Sequence, residues 1–171
     1  MNGTMLLLRV IHVVCGVYWA GTTFFVAQFL EPVVRGAGPA GAPVMLGLQA
    51  RKYFAIMPAI AGLSILSGAT MMWIDSSGFS AAWMSTRPGM GFSTGALFAI
   101  AGLIVGVRVL RPAGDQMQAL MQQAMLVPDG PERAARMAPA AALRNRVTLG
   151  ARWMAALLLV AVVAMAISRY L

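Results

Sequence analysis

The chain predicts an all-α fold: an integral membrane four-helix bundle with a cytoplasmic helical hairpin between spans three and four. Three observations carry that expectation. Segments 10–30, 54–74, 90–107 and 153–168 contain no Asp, Glu, Lys or Arg, and a helix needs roughly 20 mostly apolar residues to cross a ~30 Å hydrocarbon core. Hydrophobic residues make up 60% of the 171 and charged residues 11%, well below the ~25% usual in soluble domains. The basic residues, finally, gather on alternate loops.

One transmembrane domain accounts for the whole sequence, with spans at about 5–30, 54–74, 90–110 and 147–168 and the hairpin at 112–146. The first helix is expected to end at Glu31-Pro32, because the residue before a proline disfavours helix. Its apolar run is too long for a signal-peptide core and lacks a basic flank, so it reads as a retained span. Cys15 is the single cysteine, which excludes an intrachain disulfide. A Gly/Pro/Ala turn covers 36–43, and 44–53 forms an amphipathic approach to span two. Pro58 lies one turn into that span, where neighbouring helices can satisfy the carbonyl it frees. Phe79, Trp83 and Phe92 belong to an aromatic belt around the next loop, with Trp73 and Tyr170.

Span three carries a stripe of small residues. Gly91, Gly95, Ala99, Gly102 and Gly106 recur at spacings of four, four, three and four, so they share one helix face, where small side chains admit close approach of another backbone or a flat cofactor. Pro112 is expected to end the span. Residues 115–127 then read as an amphipathic helix with Met117, Met121 and Met125 on one side. Thioethers are soft copper ligands, but with Leu120 interleaved and no His or Cys nearby, a deformable contact face for a partner is the better reading. A turn at 128–131 leads to a second helix that rises toward span four and is interrupted or kinked at Pro139.

Ten of the thirteen basic residues lie in the loops joining spans one to two and three to four or at their helix ends. Basic loops stay in the cytoplasm, so both termini are expected on the periplasmic side of a bacterial inner membrane. The net charge of +8 is then a topology signal that also draws anionic headgroups of membrane lipids. No basic stripe on a soluble fold supports nucleic-acid binding.

His12 is the single histidine and lies about two turns into the first span. Arg9, His12, Cys15, Gly16, Trp19 and Thr23 share a face by i+3 and i+4 spacing. Intramembrane ionisable residues usually face the bundle interior. The plain reading is a histidine hydrogen-bonded to a neighbouring helix. The alternatives are proton transfer or catalysis at His12, and haem b, with His12 as the metal ligand, Gly16 admitting the porphyrin and Arg9 pairing with a propionate. A second ligand would then have to come from Met57, Met165 or another chain. The five acids lie at helix ends or in loops, and no catalytic residues, phosphate loop or nucleophile elbow are visible.

The run Leu7-Leu8-Arg9-Val10-Ile11-His12, followed by Tyr18-Trp19-Ala20-Gly21 and Phe24-Phe25, resembles the first helix of the CopD-like superfamily. That group contains the membrane domain of copper-resistance protein D, HemJ-type protoporphyrinogen oxidases and uncharacterised four-helix families. Arg51-Lys52-Tyr53-Phe54 and the ending Met165-Ala166 to Arg169-Tyr170-Leu171 resemble the uncharacterised members most. The resemblance implies a functional role for a helix-one histidine. HemJ-type enzymes also rely on a lysine in a later helix, and span three here has none. The function expected is therefore a non-catalytic accessory subunit, with no cofactor, that stabilises other integral membrane subunits of a larger complex, such as a respiratory or photosynthetic electron-transfer assembly. The alternative is a haem b protein or a relative of the HemJ-type oxidase using His12.

Overall fold

The computed structural model describes residues 3–128 and 130–171, with Pro39 and Ala42 described by their backbone alone. The described residues are almost entirely helical. Helix α1 runs Gly3–Gly36, α2 Ala42–Ala50, α3 Tyr53–Asp75, α4 Arg87–Met125, α5 Pro131–Met137 and α6 Ala140–Ile167. Four of them, α1, α3, α4 and the stretch through α6, are long and apolar enough to cross a membrane.

Two prolines behave differently from the sequence expectation. The helix does not stop at Glu31-Pro32 but continues to Gly36, and α4 passes Pro112 and reaches Met125. In both places a π-helical turn precedes the proline, at Val26–Leu30 and at Gly106–Leu110. Glu31 N–H donates to the Val26 carbonyl and Arg111 N–H to that of Gly106, each reaching back five residues. A proline in an α-helix lacks this donor and strikes the carbonyl four residues earlier. Widening the turn by one residue moves that carbonyl aside, so the chain stays helical. The helices therefore extend well beyond the apolar spans. Pro139 does mark a break: Ala138 and Pro139 form a turn between α5 and α6.

Each long helix packs against two others: α1 on α3, α3 on α4, α4 on α6, and α6 back on α1. Small residues dominate the buried positions. Ala20, Ala61, Ala99 and Ala161 surround the few large ones, Trp19, Met154 and Leu158. Large aliphatics point the other way, with Val17, Leu66 and Leu97 each about two-thirds exposed. A core of small residues inside an apolar exterior is the pattern expected in lipid, where close backbone packing rather than hydrophobic burial holds helices together.

The α4–α6 contact uses the small-residue face of α4. A Cβ at Gly91 would meet Ser168; one at Gly95 would stand 2.6 Å from Met165 Cγ and 3.2 Å from the Ala161 carbonyl oxygen; one at Gly102 would touch Leu158. Gly106, at the start of the second π turn, faces Met154. The stripe is thus spent on a helix of the same chain.

At the far end, Thr86 caps α4 by accepting from Gly89 N–H at 3.1 Å. Ser76 is buried and accepts from Phe79 N–H at 2.7 Å, which closes the turn after α3. Trp73 meets Phe79 edge-on and Trp83 stacks on Phe92, so the aromatic residues of this loop pack in pairs.

Candidate functional site

His12 lies between α1 and α3. Its Nδ1 is 2.7 Å from the Ser64 carbonyl oxygen. A carbonyl can only accept, so Nδ1 is the donor in this contact. The Ser64 hydroxyl returns a bond of 3.3 Å to the His12 carbonyl oxygen. Room for the ring comes from glycine: a Cβ at Gly68 would stand 2.7 Å from His12 Cε1 and 2.8 Å from Nδ1. Gly16 performs the same service one turn along, where a Cβ would lie 3.2 Å from Ser64 Oγ.

Of the residues suggested for haem, Arg9, His12 and Gly16 lie along α1, and the two candidate methionines lie elsewhere. The notch beside Gly16 faces Ser64 Oγ across a close helix contact. Arg9 is exposed. Met57 sits two turns of α3 away from Ser64, about 10 Å, and Met165 packs on Gly95. Neither methionine is brought to His12 in this structure. Among the described residues no group of three or more His, Cys, Asp or Glu could hold a metal ion.

Ser64 and Gly68 had escaped the sequence reading, although the signal was there. Met57, Ala61, Ser64 and Ser67 are buried along α3, at spacings of four, three and three. It is a second small-residue face, with serines where α4 has glycines.

A second feature lies at the opposite end of the molecule from the Asp75–Arg87 turn. The inner ends of the apolar helices and the segments beyond them line a partly open chamber of about 880 Å³, within the 300–1,000 Å³ range of ligand sites. Its floor includes Trp19, Met57, Ala61 and Met154; Leu46 and Leu48 of α2 and Met117 and Met121 of α4 form its sides. Gln49 of α2 and Gln118 of α4 are hydrogen-bonded to one another across it. Met117 and Met121, expected to face a partner, face this interior, while Met125 lies at the rim and is largely exposed.

Arg35, Arg111, Arg133 and Arg144 line the chamber, and none of its described lining residues is acidic. Arg133 donates to the carbonyls of Ala124 and Val127 and so ties α5 back onto α4. Arg35 lies 3.9 Å from Glu31. Glu31 is itself an unexpected feature. Its Oε1 accepts from the Thr148 hydroxyl of α6 at 2.5 Å, while Oε2 is buried with no hydrogen-bond partner. The π turn at 26–30 rotates this acid toward α6, which periodicity alone does not reveal.

No family model, curated protein or solved structure matches the chain. The fold and the two features above define its class: an α-helical protein with four helices able to cross a membrane, a histidine-mediated helix contact, and an apolar chamber rimmed by arginine.

Proposed function

We propose that this protein is a multi-pass subunit of the bacterial inner membrane that stabilises a larger assembly, such as a respiratory or photosynthetic electron-transfer complex, without catalysing a reaction. In this reading it is a four-helix bundle akin to the uncharacterised CopD-like families. The termini are periplasmic, and the arginine-rich hairpin of α5 and its flanks is cytoplasmic, as the basic loops favour. The observation that carries the reading is the His12–Ser64 contact. The one histidine of the chain is engaged in joining two helices and is wedged against Gly68, so the strongest catalytic candidate has a packing role. The large exposed aliphatics of α1, α3 and α4 offer lateral surface to neighbouring subunits and lipids alike.

A second reading rests on one specific observation. A ligating histidine commonly donates from its other nitrogen to a backbone carbonyl, and His12 Nδ1 does this with Ser64. In that reading Nε2, the ring nitrogen that Ser64 leaves unengaged, would hold the iron of haem b. The accessory reading is tested by solubilising native membranes in mild detergent and isolating the tagged chain. Migration with a large complex at fixed stoichiometry supports it. A chain that migrates alone under conditions preserving the respiratory and photosynthetic complexes refutes it.

A further inference from the structure

Water is a poor occupant for the chamber. At roughly 30 Å³ per molecule, its volume corresponds to about thirty waters, and its walls are mostly apolar, with Thr23, Gln49, Tyr53 and Gln118 among the polar exceptions away from the arginines. An apolar body fits those walls. The rim has the opposite character, with four arginines and no acid among the described lining residues. Arg35 and Arg133 have partners within the chain. Arg111 and Arg144 are exposed and make no ion pair with a described residue. Guanidinium groups pair with phosphate oxygens through paired N–H donors.

We infer that the chamber is a lipid site: it seats the acyl chains of one anionic phospholipid, whose headgroup phosphate is held by Arg111 and Arg144. The position suits this occupant. Arg111 follows directly on the π turn that ends the apolar part of α4, and Arg144 lies in the first turns of α6, ahead of its apolar stretch. Both therefore stand at the depth where headgroups lie if the apolar segments fill the hydrocarbon core. The inference does not depend on the accessory role and would hold for either reading of His12.

Gly114 provides the decisive variant. It lines the chamber, and a Cβ added there meets nothing within 4 Å, so the indole of Gly114→Trp starts from open space and takes up part of the chamber. The full chain is loaded from vesicles of phosphatidylcholine and phosphatidylglycerol in equal parts, and retained lipid is read by native mass spectrometry. The wild type is expected to retain phosphatidylglycerol selectively. Arg111→Gln with Arg144→Gln should lower that retention about tenfold or more, as loss of charge-assisted contacts implies. Gly114→Trp should lose both lipids, and Arg146→Gln, outside the chamber, should change nothing. The proposal fails if Gly114→Trp retains lipid like the wild type, or if Arg146→Gln loses as much as the pair. It fails equally if inorganic phosphate binds as the wild type does to a chain whose chamber is filled, because the arginines would then hold phosphate alone. The paired arginine variant changes exposed side chains, so it decides the headgroup claim even where the tryptophan does not insert.

Discussion

Gly68 lies so close to the His12 ring that a Cβ on it would stand 2.7 Å from Cε1. This pairing fixes how closely α1 approaches α3, and it makes the glycine as constrained as the histidine. Gly68→Ala should lower stability by about 1–3 kcal/mol, the usual cost of overpacking a well-filled contact. Gly62→Ala on the same helix has open space around its Cβ and should be neutral or slightly stabilising. Thermal unfolding in detergent reads both, and equal melting temperatures for the two variants would remove the pairing from the account.

The α4–α6 contact makes a similar demand. Gly95→Leu and Gly102→Leu should each drive the helices apart, since the spaces they need contain Met165 and Leu158. The cost should reach at least the 1–3 kcal/mol of core overpacking. Ile104, half exposed on the outer surface, should accept Leu with little change. Normal unfolding of both glycine variants would mean that this face does not pack within the chain.

Thr148 and Glu31 test an asymmetry. With Oε2 already lacking a partner, Thr148→Val would take the hydroxyl bond from Oε1 as well. Leaving a buried acceptor unpaired costs about 1–3 kcal/mol, whereas removing both members is far less costly. The double variant Glu31→Leu, Thr148→Val should therefore be more stable than Thr148→Val alone. Strictly additive losses in denaturant titrations would show that the two side chains do not interact.

The four long apolar helices were legible in the sequence because uncharged runs of that length have few other uses. The small-residue face of α4 was legible because its spacing repeats over four turns. Pro32 and Pro112 misled, since the rule that proline ends helices omits the π turn that accommodates it. Ser64 as partner of His12 was hidden by a separation of 52 residues, and helix periodicity cannot say which faces meet. The chamber was hidden for a related reason. It is assembled from parts of α1, α2, α3, α4, α5 and α6, none of which has a distinctive pattern alone.

The distribution of basic residues predicts a sidedness that can be measured. In a Cys15→Ser background, cysteine placed at Ala82 and at Ala135, both exposed, should label from opposite sides of the membrane. Ala82 should react with an impermeant reagent from the periplasm and Ala135 only after permeabilisation. Reactivity of both from one side would overturn the positive-inside assignment.

The central claim is that His12 holds helices together and does not carry a cofactor. Its most direct test is the visible absorption spectrum of the wild-type chain purified from its native membrane, beside that of His12→Gln. Glutamine preserves a hydrogen-bonding side chain and is a poor iron ligand. The account predicts no Soret band in either protein and a stability loss of at most about 1–2 kcal/mol in the variant. One haem per chain in the wild type, absent from the glutamine variant at equal expression, would contradict it.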